Sequence, residues 1–145
     1  ATTMRSICTG MKMEYMYQLE LKVRDYECDL QAIVNNANYQ HYYEHTRHEF
    51  LSQHKISFAD LHDEGIDLVV ARVEMAFKTP LKSGDRFLSV LNLTQEGVKY
   101  TFHQKIFRLP DMKLCNVGKF DCVVLDHGKL CRNAELDAFV ASLQP

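Results

Sequence analysis

The spacing of apolar residues changes twice along this chain, and that change narrows its possible folds more than any other feature. Over Tyr17 to Tyr26, the residues Tyr17, Leu19, Leu21 and Val23 alternate with Gln18, Glu20, Lys22 and Arg24. This is the period-two pattern of a half-buried strand. From Asn36 to Lys55 the period lengthens: Tyr39, Tyr43, Thr46 and Phe50 stand three and four residues apart, with Tyr42 and Leu51 widening the stripe. That spacing predicts a helix of about five turns, with Asn35 or Asn36 as its N-cap. Its density of aromatic side chains predicts a helix wrapped by other elements. Between strand and helix lies a polar loop, Glu27 to Asn35, interrupted by Ile33-Val34.

The period then returns to two. A short helix over Ser57 to Asp63 is stopped by Gly65. Val69, Ala71, Val73, Met75 and Phe77 alternate with Arg72, Glu74 and Lys78, up to a turn at Pro80 and Ser83-Gly84-Asp85. Further strands are expected over Arg86 to Thr94, Val98 to Arg108 and Leu114 to Leu125, separated by Gln95-Glu96-Gly97 and Pro110-Asp111. Asp126-His127-Gly128 ends the last of them, and Ala134 to Leu143 predicts a closing helix. One strand, a long helix and four consecutive strands make an α+β plan in which an antiparallel sheet wraps a helix.

Bulk properties remove several functional classes. The chain of 145 residues is 46% apolar and 25% charged, with a net charge of −2, as expected of one globular domain. Lys99, Lys105, Arg108, Lys113 and Lys119 are dispersed, so no nucleic-acid partner is expected. No apolar run approaches the length of a membrane span. Ala1 to Met16 has no signal-like apolar core, so the expected address is cytoplasmic. Its repeated methionines (Met4, Met11, Met13, Met16) leave the native start open. We read residues 1–14 as a tail and 15–145 as the domain. Five cysteines without a CxxC pair point to reduced thiols.

The run Val23-Arg24-Asp25-Tyr26-Glu27-Cys28-Asp29, then Ile33-Val34-Asn35-Asn36-Ala37-Asn38-Tyr39 and Tyr43-Glu44, resembles the signature of the 4-hydroxybenzoyl-CoA thioesterase family. The turn Thr79-Pro80-Leu81-Lys82-Ser83-Gly84-Asp85 resembles it too. The likeness extends from about Leu19 to Val140. Val-Asn-Asn-Ala followed by Arg47-His48-Glu49-Phe50-Leu51 is also similar to plant acyl-lipid thioesterases. The resemblance implies a hotdog fold and hydrolysis of acyl-CoA or acyl-carrier-protein thioesters. It implies no cofactor or metal, and a homodimer or homotetramer whose site forms at the subunit boundary. Two positions depart from the family: Asn36 stands where many relatives have His, and Ala32 where many have Gly.

Asp29 occupies the family's catalytic carboxylate position, as nucleophile or as the base that activates water; as an isolated loop residue it would only cap or orient. The free N–H groups and positive end of the helix dipole would polarise the thioester carbonyl. Val34, Asn35 and Asn36 are the expected contributors, with the Asn36 side chain a further donor or simply a cap. Tyr39 is a candidate substrate contact, although Tyr39, Tyr42 and Tyr43 are expected first as core, because a helix enclosed by a sheet is apolar on most faces. Glu44 matches a family position and is expected to be structural. Val69 to Phe77 would line an acyl tunnel or the core.

His41, His45 and His48 fall on one helical stripe, a spacing that suits zinc. No fourth ligand completes it, and Arg47 and Glu49 mark a solvated face, so no metal is expected. From another class, a non-catalytic acyl-binding hotdog protein fits the same pattern. A hotdog dehydratase fits less well, because the helix lacks that family's usual His arrangement before it.

Overall fold

The computed structural model describes residues 15–143; the expected tail over 1–14, with Cys8, lies outside them. The first strand, β1, runs Tyr17–Lys22, shorter than the alternation predicts. Val23 donates its N–H to the Asp85 carbonyl, and Asp25–Glu27 close as one 3-10 turn. There the Glu27 carboxylate accepts the Arg24 N–H at 2.8 Å, so local capping ends the strand where its pattern continues. Then follow α1 (Asn36–Gln53), α2 (Phe58–Asp63), β2 (Ile66–Phe77), β3 (Arg86–Glu96), β4 (Lys99–Leu109) and β5 (Lys113–Asp126). A short β6 (Lys129–Cys131) and α3 (Ala134–Leu143) complete the order.

The strand β6 was not expected. Asp126 pairs with Lys129 across His127 (φ 50°) and Gly128 (φ 82°). Two successive left-handed residues make the tight turn that suits twisted antiparallel strands. The triplet read as a strand end is therefore a hairpin turn.

The sheet is antiparallel throughout, in the order β1-β3-β4-β5-β2 with β6 beside β5. It curls around α1, the hotdog arrangement. A bulge at Ala71 divides β2: Val70 faces Cys122, whereas Arg72 faces Asp121. One extra residue inverts the side-chain alternation. Val69 and Ala71 therefore leave the face they were expected to share with Val73, Met75 and Phe77, and Ile66, Leu68 and Val70 take it over.

The curled sheet wraps the buried face of α1, as expected, and the opposite face is exposed among the described residues. Tyr39, Tyr42, Tyr43, Thr46, Arg47, Phe50 and Leu51 are buried, while Gln40, His41, Glu44, His45, His48 and Glu49 are exposed. The buried stripe meets residues of all five long strands, β1 to β5. Tyr42 packs on Phe87 at 4.7 Å between centroids and Tyr43 on Phe120 at 5.2 Å.

Polar contacts fix the helix on this bed. The Tyr43 hydroxyl donates to Asn116 Oδ1 (2.8 Å), Gln104 Nε2 donates to the Tyr43 carbonyl (3.1 Å), and Thr46 Oγ1 meets Ser89 Oγ (2.7 Å). All these groups are buried, so each bond satisfies a polar atom that water does not reach.

At the far end, Asp137 docks α3 by accepting from the Tyr100 hydroxyl, Gln95 Nε2 and Arg132 Nε. These donors, Tyr100 foremost, hold its carboxyl below the ordinary carboxylate range. A carboxyl with a lowered folded pKa adds stability above its unfolded value, and that stability is lost as pH falls through the folded value. Asp137→Asn should therefore melt below wild type at pH 7, with the gap closing under about pH 4. Thermal melts from pH 7 to pH 3 check this.

Candidate active site

The loop that carries Asp29 is folded back onto the N-terminus of α1. Cys28 and Val34 form an isolated antiparallel bridge. Within it Asp29 donates its N–H to the Ile33 carbonyl (2.9 Å) and accepts from the Ala32 N–H on its own carbonyl (3.0 Å). Asp29 Oδ1 accepts the Gln31 N–H at 2.8 Å. Ala32 has φ 63°, a left-handed conformation that Gly adopts without strain. In that conformation this chain bears a cost of about 1 kcal/mol for the Ala32 methyl group.

The loop is tied down on two sides. Ile33 bridges to Lys82, and the Val34 N–H donates to the Leu81 carbonyl at 2.8 Å. The Thr79-to-Asp85 turn therefore supports the site loop from beneath. On the other side, the Glu27 carbonyl accepts from the Asn35 N–H (3.0 Å) and from Asn38 Nδ2 (2.8 Å).

These bonds sort the helix N-terminus. Asn35 is the N-cap, its Oδ1 accepting the Ala37 N–H at 3.0 Å. Val34 and Asn35 were expected to offer their amides, but both are already donated to carbonyls within the fold. Asn36 opens the helix with an exposed side chain. Among the described residues its N–H has no acceptor, so it is the amide left at the positive end of the helix.

Tyr39 is core: it is 3% exposed, and its hydroxyl accepts the Leu81 N–H at 3.3 Å. Its ring meets the half-exposed Phe77 edge-on at 5.6 Å. The Tyr42 hydroxyl donates to Glu27 Oε1 at 3.0 Å. Burial pushes the Tyr42 and Tyr43 phenols well above their ordinary range, so both are protonated donors at neutral pH. Glu44 is exposed.

Of the stretch Val69 to Phe77, expected to line an acyl tunnel or the core, part is exposed, and the cavity beside it escaped the sequence reading. Val70, Val73 and Phe77 lie on the inner face of β2 yet are 43%, 38% and 48% exposed. They form an apolar shelf beside α1, starting next to Tyr39 near the helix N-terminus. At its other end is a cavity of about 450 Å³, walled by Glu44, Arg47, His48, Leu68, Val70 and Phe102 among others. Arg47, expected on a solvated face, is 7% exposed. The histidine stripe divides: His41 and His45 border a separate cleft with Lys22 and Arg24, whereas His48 borders the cavity.

A family model described as the thioesterase-like superfamily matches residues 23–143. The chain belongs to that superfamily. The match begins at Val23, just ahead of the Asp29 loop, and runs through α3. A chloroplastic acyl-acyl carrier protein thioesterase of Arabidopsis thaliana is 36% identical over 119 residues, 81% of this chain and 63% of that protein. A second from the same plant is 37% identical over 112 residues, 77% of this chain and 60% of that protein. The chain thus spans less than two thirds of these plant relatives. Among solved structures, a 1,4-dihydroxy-2-naphthoyl-CoA thioesterase from Synechocystis superposes with a TM-score of 0.83 at 18% identity, covering 89% of this chain and 98% of that one. At that identity the likeness establishes the hotdog fold.

Proposed function

We propose that this chain hydrolyses acyl thioesters to a free acid and a thiol, with Asp29 at the reacting centre. The observation that carries the reading is the pairing of two groups on one pinned loop and helix end: an exposed carboxylate at Asp29 and the unbonded N–H of Asn36. In one route Asp29 takes a proton from water, and the hydroxide so formed adds to the thioester carbon. In the other its carboxylate adds directly, giving an anhydride that water then opens. Either way the carbonyl oxygen becomes an oxyanion, which the Asn36 N–H and the α1 dipole stabilise. Collapse breaks the C–S bond and expels the thiolate, which takes up a proton. Asn36 donates a hydrogen bond but carries no proton away, so in the first route Asp29 is the proton acceptor.

The acyl carrier is CoA or an acyl-carrier protein; the Arabidopsis relatives' names favour the second. The working unit is a homodimer or homotetramer. Strand β2 pairs only with β5, so its other edge is open among the described residues, beside the exposed Val70, Val73 and Phe77. An open apolar edge favours pairing with a second copy. Sedimentation should show at least twice the chain mass.

The test is free-thiol release from acyl groups on CoA and on acyl-carrier protein. Turnover on either supports the hydrolase. Acyl binding without thiol release on both would make this an acyl-binding protein.

A further inference from the structure

We propose that Arg47 is the stop of the acyl groove, limiting the chain to about a dozen carbons. This rests on the thioesterase reading and adds which acyl groups the site prefers.

The groove has a defined start and a defined end. It starts at the Asn36 N–H, where the carbonyl is held. It follows the apolar shelf of Phe77, Val73 and Val70, and Val70 also walls the cavity. Arg47 lies about three helical turns beyond Asn36, about 16 Å along the axis. An extended hydrocarbon advances about 1.3 Å per carbon, so roughly twelve carbons reach the guanidinium.

The end is polar and does not move aside. Arg47 Nη1 donates to Gln104 Oε1 at 3.0 Å, and the guanidinium lies 4.3 Å from the Phe120 ring centroid and 5.8 Å from that of Phe102. Gln104 is itself held by the Tyr43 carbonyl. No carboxylate forms an ion pair with Arg47 among the described residues, and its guanidinium borders the cavity, held by the Gln104 bond and the two ring faces. Glu44 and His48 border the same space. Methylenes driven into it would strip these groups of water without replacing the lost hydrogen bonds.

The experiment measures kcat/KM for saturated acyl groups from hexanoyl to octadecanoyl, on CoA and on acyl-carrier protein. Wild type should peak near decanoyl to dodecanoyl. Arg47→Met, which keeps length and removes the charge, should raise the hexadecanoyl-to-decanoyl ratio roughly tenfold. Val73→Phe narrows the shelf midway and should lower the dodecanoyl-to-hexanoyl ratio by a similar factor. A wild-type optimum at hexadecanoyl, or a folded Arg47→Met with the wild-type ratio within about twofold, overturns the stop. If Arg47→Met does not fold, an unchanged ratio in Val73→Phe overturns it instead. Turnover of short chains with an unshifted profile would leave the hydrolase standing and remove only Arg47. No turnover of any ester would remove both.

Discussion

Asp29→Asn should lower kcat/KM for thioester hydrolysis by about 10²–10⁴-fold, the contribution of a general base, and by more if Asp29 is the nucleophile. That loss corresponds to roughly 3–5 kcal/mol of transition-state stabilisation. The substitution is close to a pure test of chemistry. The side chain is exposed, and among the described residues its one bond is Oδ1 accepting from the Gln31 N–H. An asparagine carbonyl accepts that same bond, so the loop that pins α1 should stay in place. Thiol release followed beside a thermal melt separates the outcomes. A melt within about 2 °C of wild type together with collapsed turnover places Asp29 in the reaction. Turnover within threefold of wild type in the folded variant would remove it.

Gly118→Val should cost about 3 kcal/mol of folding stability, which for a domain of this size lowers the melting temperature by roughly 10 °C. A Cβ at Gly118 would lie 2.7 Å from Phe120 Cε2 and 2.8 Å from Tyr43 Cε2. Neither ring has room to retreat. Tyr43 is held through its hydroxyl by Asn116 and through its carbonyl by Gln104, while Phe120 carries the Arg47 guanidinium on its face. Gly118 is thus the gap through which α1 approaches the sheet. A melting temperature within about 2 °C of wild type would show that the helix shifts to make room.

The site was legible where its signal was a short motif. Asp29 and the Asn35-Asn36 helix start stand out because resemblance fixes the position of a loop carboxylate and capping chemistry is local. The choice among amides was not legible. Val34 loses its N–H to Leu81, far along the chain, and only the folded turn beneath the loop brings that carbonyl within reach. Arg47 misled for the opposite reason. Beside His48 and Glu49 an arginine reads as solvated, and its burial depends on Gln104, Phe102 and Phe120 lying beneath it. Strand β6 hid behind a His-Gly turn that matches none of the usual hairpin dipeptides.

The order of the long elements follows from the sequence by itself, because side-chain period is a property of neighbouring residues: two in a strand, 3.6 in a helix. The switch from one to the other, and back, is written between Tyr17 and Leu125 without reference to any partner. Faces, edges and free groups belong to the tertiary structure. A single unpaired residue at Ala71 exchanged the faces of half of β2, because register is set by what lies across the sheet. Which face of α1 the sheet wraps, and which stays exposed beside a shelf and a cavity among the described residues, was decided there too. Which amide stays free and which arginine is buried are decided by groups distant in sequence, whose arrival no local pattern records.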